Sequence, residues 1–298
     1  MRTNEMLRTI YVFVRFAAFA IIPKLTLSID FKRHVGYKLN LKDPKTYNEK
    51  LQWLKLNWFD PKATICADKY TVREFVAEKG LGHTLNELYC VYDCADNINF
   101  EELPDQFVMK VTHGCGQNLV CLDKSQINWE AEKKTLNKWL KMSHYYNSLE
   151  WVYKGIIPRI VVEKLIQTED GKLPKDYKVF CFNGEPKCIY VVQDRSMDPD
   201  TKRFDFYDCN WNHINVKNHY PNSEKILPKP KELGRLLDYS RVLSAGFPHA
   251  RIDFYIENGN IIFGECTFFH FSGHGPFEPM EFDYKMGEYL TLPKLQMR

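Results

Sequence analysis

Two predicted β-strands near the end of the chain carry charged and hydroxyl side chains at alternate positions. Arg251 and Asp253 fall on the first strand, and Glu265 and Thr267 fall on the second, after an Asn-Gly turn that is a strong hairpin signal. Because residues two apart share one face of a strand, we expect the four side chains to meet. Two carboxylates there form a site of hard oxygen ligands for Mg²⁺, whereas a buried ion pair between Arg251 and either carboxylate is the structural alternative.

A lysine followed by a glycine-containing turn is the second pattern that could support chemistry. Lys110 lies in the predicted buried strand 107–111, and the turn that follows contains Gly114 and Gly116. Glycines allow backbone N–H groups to approach phosphate oxygens, and the lysine ammonium adds a positive charge. The turn is not a Walker loop, because no Gly-Lys-Ser/Thr opens a helix, and an ordinary structural turn stays open as an alternative.

These residues need a scaffold, and hydrophobic periodicity predicts an α+β fold in two lobes that join near residue 163. No internal repeat or long linker interrupts the chain. The predicted helices span residues 47–60, 68–79, 128–142 and 230–245. The predicted strands span residues 107–111, 160–166, 177–183, 187–193, 204–208, 250–256 and 260–266.

Composition places the chain among ordinary folded proteins. Of its 298 residues, 44% are hydrophobic and 27% are charged, which excludes a disordered or collagen-like chain. The nine cysteines include no Cys-x-x-Cys pair, so we expect no structural zinc site, and free thiols favour the reducing cytoplasm. A net charge of +3 is too small to indicate a nucleic-acid-binding protein.

The positive charge is concentrated in the first 45 residues, which hold nine Lys or Arg against three Asp or Glu. Within them, Ile10–Ile22 is an apolar run of thirteen residues interrupted by Arg15. This run is too short for a membrane-spanning helix, and the internal charge disfavours a signal peptide. Two interpretations stay open: a helix packed on the protein body, or a helix resting on an anionic membrane surface.

In chain order, the motifs between residues 68 and 270 resemble those of the ATP-grasp superfamily. The Arg-x-Asp strand, the hairpin and Gly-Glu-x-Thr resemble its terminal R-x-D and E-x-N signature, and residues 162–166 (Val-Glu-Lys-Leu-Ile) resemble its adenine-holding hinge. The series D-K-Y, K-x-T-H-x-x-G, D-Y-K, F-N-G, R-I-D-F-Y and F-G-E-x-T-F is similar to the TupA-like branch, which acts in bacterial capsule and teichuronopeptide synthesis.

The resemblance implies an ATP-grasp fold whose two lobes grip ATP between them, with a reduced N-terminal region. It divides the chain into a basic and apolar arm with a helix (1–67), an N-terminal lobe (68–162) and a C-terminal lobe with the metal site (163–298). The phosphate contacts it implies are Lys69, Lys110, His113, Gly114, Gly116 and Lys178, and the adenine contacts are Glu163, Lys164 and Leu165.

The resemblance also implies a metal site and two catalytic residues. Asp253, Glu265 and Thr267 would hold Mg²⁺, although Thr267 stands where most of the superfamily has Asn and its hydroxyl reaches less far. Arg251 and Lys110 are the expected catalytic residues. Arg251 would stabilise the charge on the transferred phosphoryl group or on the acyl intermediate.

The function implied is an ATP- and Mg²⁺-dependent carboxylate–amine ligase that forms an amide through an acyl phosphate in surface polysaccharide biosynthesis. Its partners would be a small-molecule or glycan-linked carboxylate and an amine, with no nucleic acid. A turn at 270–275 is expected near the acceptor. Arg195 is expected either to face the phosphates or the acceptor, or to form a surface ion pair. The expected location is the cytoplasm, with peripheral contact of residues 1–45 at the inner face of the membrane left open.

Two alternatives to a ligase stay open. A glycosyltransferase of the same pathway would hold a nucleotide sugar, and residues 198–200 (Asp-Pro-Asp) fit its D-x-D letters but follow no predicted strand. A non-catalytic scaffold is the other alternative, because a fold does not determine a function.

Overall fold

The computed structural model describes residues 17–193 and 202–295. The first part of the apolar run, Arg195 and the Asp-Pro-Asp motif lie outside these ranges. The helices are α1 (Pro23–Val35), α2 (Tyr47–Asn57), α3 (Pro61–Ala67), α4 (Val72–Glu78), α5 (Trp129–Leu140), α6 (Tyr145–Ser148), α7 (Leu233–Ser244) and α8 (Glu281–Tyr289). The strands are β1 (Leu88–Tyr92), β2 (Phe107–Val111), β3 (Asn118–Cys121), β4 (Ile160–Lys164), β5 (Asp176–Phe182), β6 (Glu185–Gln193), β7 (Arg203–Asp208), β8 (His213–Ile214), β9 (Lys217–Asn218), β10 (His249–Glu257), β11 (Asn260–Thr267) and β12 (Phe277–Glu278).

The first sheet has four antiparallel strands in the order β1-β4-β2-β3. Phe107 and Met109 of β2 pack with Leu136 of α5 in a core cluster of their own. Helix α5 is amphipathic and begins after Asn128, whose side chain caps it by accepting from the Ala131 backbone. This sheet therefore forms a small lobe with its own core.

The second sheet has six antiparallel strands in the order β11-β10-β5-β6-β7-β8. The predicted turn between β10 and β11 is confirmed, because Asn258 (φ 49°) and Gly259 (φ 74°) both have the positive φ of a type I′ hairpin. Helix α7 packs on the sheet through Leu236 and Leu243, which belong to the largest core cluster. The charged hairpin lies at the edge of this larger lobe.

The segment before the first sheet contributes to the second lobe. Helix α2 begins with a capping box between Thr46 and Glu49, and its Leu51 and Leu54 are buried in the second core. Helix α1 packs in a separate cluster that includes Leu27. Within the described ranges, no helix is long and apolar enough to cross a membrane.

The predicted helix 68–79 starts later than its apolar pattern indicates, at Val72. Asp68 is extended (ψ 119°), and its carboxylate accepts a hydrogen bond from the Tyr70 backbone at 2.8 Å. The backbone N–H of Lys69 donates to the carbonyl of Thr112 at 3.3 Å, so this turn is tied to the end of β2. Lys69 therefore lies in a turn and does not open a helix.

Candidate active site

The β10–β11 hairpin brings the four predicted side chains together. Asp253 lies opposite Glu265, and Arg251 lies opposite Thr267. After Asp253 the register shifts, because Gly264 is an extra residue in β11. The side chains that carry charge thus share one face, while their apolar neighbours enter the core.

Arg251 is the centre of the hydrogen bonds on this face. Its Nε and Nη2 donate to the two carboxylate oxygens of Asp253, each at 2.7 Å. Nη2 also lies 3.1 Å from Thr267 Oγ1 and 3.4 Å from Glu265 Oε1. Nη1 donates to His270 Nδ1 at 2.7 Å. The planar guanidinium is therefore held in one orientation.

His270 orients Arg251 as a neutral imidazole. Because Nδ1 accepts from the guanidinium, the proton is on Nε2, which lies 2.8 Å from Asn218 Oδ1. Burial lowers the pKa of His270 well below its usual value, and the charge of Arg251 lowers it further. This contact was missed by the sequence prediction, which placed residues 270–275 near the acceptor without a partner for His270.

Lys178 joins the same network from the neighbouring strand. Strand β5 pairs with β10 and places Lys178 opposite Asp253. Its Nζ lies 2.6 Å from Asp176 Oδ2 and also contacts Asp253 Oδ2. Burial alone would lower the pKa of Lys178, but Asp176 and Asp253 outweigh that effect and raise it. Lys178 is therefore a permanent cation between two carboxylates.

Lys69 connects the glycine turn to the hairpin. Its Nζ donates to the carbonyl of Gly114 at 2.5 Å and lies 3.6 Å from Glu265 Oε2. Burial would raise the pKa of Glu265, but Lys69, Lys178 and Arg251 together lower it to about 2. Glu265 is thus a carboxylate at any physiological pH.

Lys110 pairs with the predicted hinge residue Glu163. The Lys110 Nζ lies 2.8 Å from Glu163 Oε2, and the other carboxylate oxygen lies 3.1 Å from Arg73 Nη1. Burial opposes the charge on Lys110, yet Glu163 raises its pKa above the usual value. Arg73 was not among the predicted site residues, because it lies on a helix 90 residues before Glu163.

His144 shapes the glycine turn. A Cβ at Gly114 would lie 2.3 Å from the His144 ring, so no side chain fits there without a shift. Burial lowers the pKa of His144 to about 4, with further contributions from Lys69 and His113. His113 Nε2 lies 2.9 Å from the Met142 carbonyl. The turn is therefore held by a neutral histidine that the sequence prediction missed.

A cavity of about 390 Å³ lies beside the predicted hinge. Lys164 and Leu165 line it from the hinge, and Ile262 lines it from β11. Its volume lies within the range of small-molecule pockets. Glu163 does not line this cavity, and neither do the cations of the hairpin. The predicted site therefore has two parts. The hinge end is this cavity beside Lys164 and Leu165, and the polar end is the charged hairpin with the cations around it.

The hairpin offers the kind of ligands that Mg²⁺ prefers, namely one or two carboxylates beside a place for phosphate oxygens. Asp253 and Glu265 supply these carboxylates from opposed positions. Thr267 Oγ1 accepts from Arg251, so the hydroxyl is engaged by the guanidinium. Within residues 17–193 and 202–295, no cluster of three or more His, Cys, Asp or Glu side chains is arranged to hold a metal ion.

A family model now connects this geometry with known proteins. The model for TupA-like ATP-grasp proteins matches residues 49–291, which include both sheets and the charged hairpin. The chain belongs to the TupA-like ATP-grasp family. The two lobes are accordingly those of an ATP-grasp fold. A comparison with curated proteins gave no match.

A comparison with solved structures gave distant matches to this TupA-like protein. D-alanine–D-alanine ligase from Bacillus anthracis is 16% identical with a TM-score of 0.41, covering 68% of this chain and 57% of that chain. The ligase from Helicobacter pylori is 12% identical with a TM-score of 0.44, covering 85% and 68%. The ATP-grasp ligase PsnB, with a precursor variant, Mg and ADP, is 10% identical with a TM-score of 0.43, covering 81% and 64%. The chain thus spans a little over half the length of the B. anthracis ligase.

Proposed function

We propose that this TupA-like ATP-grasp protein is an ATP-dependent ligase that activates a carboxylate as an acyl phosphate and joins it to an amine. The observation that carries the proposal is the group of cations around the paired carboxylates of β10 and β11. These cations lower the pKa of Glu265. They are Lys69, Lys178, Arg251 and Lys110. Phosphoryl transfer depends on such preorganised cations, because negative charge spreads over the phosphate oxygens.

The nucleotide would lie between the hinge and the hairpin. Adenine would occupy the cavity lined by Lys164 and Leu165, and the phosphates would extend toward Lys69, Lys110 and Lys178. The two ends are joined through the Lys110–Glu163 pair at 2.8 Å. In this orientation the terminal phosphate would lie beside the cations of the charged hairpin.

Arg251 would act on the reacting groups. A substrate carboxylate oxygen attacks the terminal phosphorus while the bond to ADP breaks. The neutral amine then displaces phosphate from the acyl carbon and releases a proton to solvent, which gives an amide. Mg²⁺ held by Asp253 and Glu265 would neutralise phosphate charge when bound. Arg251, fixed by His270 at 2.7 Å, would stabilise the charge on the acyl intermediate. The two lobes would exclude water from the acyl phosphate.

ATP binding and ADP release test this function. We expect ATP with Mg²⁺ to raise the unfolding temperature of the full chain, and UDP-glucose to leave it unchanged. Asp253→Asn and Glu265→Gln should abolish ADP release while the proteins still fold. Stabilisation by UDP-glucose and not by ATP would favour the glycosyltransferase instead. Normal ADP release by both variants would refute the roles of these carboxylates.

The proposal extends to the pathway and the substrates. The motif resemblance supports a cytoplasmic enzyme of bacterial surface polysaccharide biosynthesis, with a glycan-linked or small carboxylate as one substrate. An ADP-release screen over amino acids, uronic acids and amino sugars would identify the pair. Activity confined to amino-acid pairs, without any sugar acid or amino sugar, would contradict the polysaccharide role.

Membrane contact through α1 is a further part of the proposal. Large exposed apolar groups are uncommon on a protein surface unless they bind something. The acidic residue of α1, Asp30, is buried, while Lys24, Lys32 and Arg33 are exposed beside the apolar face. This combination fits an anionic lipid surface. The exposed apolar side chains are Ile21 (77%), Ile22 (46%), Leu25 (54%) and Ile29 (59%).

Vesicle sedimentation tests the membrane contact. The full chain should sediment with vesicles of phosphatidylglycerol and phosphatidylcholine, and not with phosphatidylcholine alone. Leu25→Glu combined with Ile29→Glu should abolish sedimentation without changing ATP binding. Ile226→Glu, at a residue 63% exposed elsewhere, is the matched control and should sediment normally. Loss of dimer formation in the double variant, with no vesicle binding by the wild type, would assign this face to a second copy instead.

A further inference from the structure

Asn218 of β9 is a buried amide that contacts both ends of the turn formed by residues 270–276. Its Oδ1 lies 2.8 Å from His270 Nε2, at the start of this turn. Its Nδ2 donates to the carbonyls of Gly275 and Pro276 at 3.1 and 3.0 Å, at the end of the turn. Strand β9 pairs with β12, which follows directly, and Asn218 is 0% exposed. Asn218 therefore connects the start of the turn with its end.

The surroundings of Asn218 fix the orientation of its amide. Carbonyl oxygens only accept hydrogen bonds, so the NH₂ group must face Gly275 and Pro276. The amide oxygen then faces His270, where it accepts from Nε2–H. With its proton on Nε2, the neutral ring has a free electron pair on Nδ1, which accepts from Arg251 Nη1 at 2.7 Å. Asn218 thus favours the one neutral form of His270 that can hold Arg251.

Aromatic packing holds the His270 ring between these two contacts. The ring is buried and lies edge-on to Phe180 and Tyr190, at centroid distances of 4.9 and 5.6 Å. Close packing of this kind restricts rotation of a buried ring. The hydrogen bonds to Asn218 and Arg251 therefore share one fixed ring plane.

Helix α2 fixes the turn to which Asn218 binds. Asn48 Nδ2 donates to the same Gly275 carbonyl at 2.9 Å. Lys55 Nζ, two turns further along the helix, donates to the Ser272 carbonyl at 2.8 Å. The carbonyl that orients the Asn218 amide is thus itself held by the body of the larger lobe.

We propose that Asn218 is a positioning residue of the ligase, which acts through His270 to hold the Arg251 guanidinium toward the reacting phosphoryl and acyl groups. Its effect passes along two hydrogen bonds, from the amide to Nε2–H and from Nδ1 to the guanidinium. A preorganised charge accelerates a reaction because it need not reorient during the reaction. The inference rests on the proposed ligase function and adds a residue that determines how firmly Arg251 is placed.

Long-range ¹H–¹⁵N NMR of the full chain labelled with ¹⁵N-histidine tests the form of His270 without any measurement of activity. The signals of this ring are those that disappear in His270→Gln. We expect a neutral ring with its proton on Nε2 at pH 6, 7 and 8, because burial and four neighbouring groups lower the pKa of His270. The four groups are Arg251, His249, Lys178 and His219. A proton on Nδ1, or a doubly protonated ring, would refute the inference.

ADP release tests the effect on turnover, with ATP, Mg²⁺ and a mixture of amino acids, uronic acids and amino sugars. Asn218→Ala should lower turnover at saturating ATP about tenfold or more and leave the KM for ATP unchanged, because it misplaces a reacting group and spares the nucleotide contacts. Asn222→Ala is the matched control, since Asn222 Nδ2 also donates to two carbonyls, those of Phe204 and Val216, at 2.8 and 2.9 Å. This variant should lose comparable stability in urea and keep the turnover of the wild type.

A double variant separates positioning from general stability. In His270→Ala the connection to Arg251 is already broken, so adding Asn218→Ala should lower turnover by less than about twofold. If the two losses multiply, or if Asn218→Ala and Asn222→Ala lose turnover equally, the inference fails while the ligase proposal stands. If Asn218→Ala does not fold, Asn218→Ser replaces it, because serine keeps a hydroxyl donor and withdraws the acceptor from His270. If the wild type releases no ADP, the ligase proposal itself fails.

Discussion

Glu163 of β4 holds Lys110 of β2 with one carboxylate oxygen, at 2.8 Å, and Arg73 of α4 with the other, at 3.1 Å. Arg73 also donates to the carbonyl of Asn86 at 2.7 Å, close to the hinge. The residue expected to contact adenine thus also positions an expected phosphate-binding lysine. The hinge end and the polar end of the cleft are one hydrogen-bonded unit.

Lys110→Met tests this unit. We expect the KM for ATP to rise about tenfold and turnover to fall about a hundredfold, since the variant loses a positive charge aimed at the phosphates. Folding should persist, because Arg73 still neutralises Glu163. Steady-state ADP release measures both parameters. Lys141→Met, at an exposed position after α5, is the control, and an unchanged KM in Lys110→Met would contradict the assignment.

His270→Ala should destabilise the protein and reduce its turnover. The variant removes the acceptor for Arg251 Nη1 and leaves a buried donor without a partner, which costs about 1–3 kcal/mol. His270→Gln keeps an acceptor and should recover part of both losses. Urea unfolding and ADP release provide the two readouts. Equal stability of the Ala and Gln variants would show that the Arg251 contact is unimportant.

Gly114→Ala should impair nucleotide binding because the new side chain clashes with its neighbours. A Cβ at this position would lie 2.3 Å from the His144 ring and 2.7 Å from Gln117 Oε1, so the turn or these side chains would have to move. Adding His144→Ala removes the closer clash and should restore part of the binding, so the two substitutions should be non-additive. Titration with Mg²⁺ and ADP measures the effect. Additive losses in the double variant would mean that the turn needs glycine for another reason.

The stability of the protein should depend on Asp283 between about pH 4 and pH 6. Burial raises the pKa of Asp283 to about 6, although hydrogen bonds from Asn48 oppose this rise. An unfolded chain titrates this group at about 3.9, so the folded state binds the proton more tightly. The stabilisation is complete below about pH 4 and is lost as the pH rises through 6, by about 3 kcal/mol at most.

Asp283→Asn should remove that part of the pH dependence. Urea unfolding at pH 4, 5, 6 and 7 gives the free energy of unfolding for the wild type and the variant. We expect the difference between them to change over this window and to level off at pH 7. Two parallel profiles would mean that Asp283 is not protonated preferentially in the folded state.

Local patterns predicted the hairpin well. Strand periodicity put Arg251 and Asp253 on one face, and the turn formed by Asn258 and Gly259 determined which residues of β11 would meet them. These signals act over fewer than twenty residues, so no knowledge of the packing is required. The prediction of a helix at 68–79 is wrong at its start, because a contact with the distant residue Thr112 holds Lys69 in a turn.

Several contacts within the site could not be predicted, because they join segments that lie far apart in the sequence. Arg73 meets Glu163 across 90 residues, and Lys55 meets Ser272 across 217. His270 follows the hairpin closely, yet its contact with Arg251 depends on a turn that α2 holds in place. Such contacts have no periodic signature in the sequence.

The cations beside the charged hairpin lie against carboxylates, and this pairing affects how the site would bind a polyanion. Arg251 and Lys178 share Asp253, and Lys69 faces Glu265, so an incoming phosphate would have to displace these carboxylates from their cations. The displaced carboxylates would then require a new positive charge, which the proposed Mg²⁺ would supply. Nucleotide and cation affinities should therefore be thermodynamically linked, each raising the other by the same factor. In the proposed ligase, this resting charge balance would favour binding of the Mg²⁺–nucleotide complex over binding of the bare nucleotide.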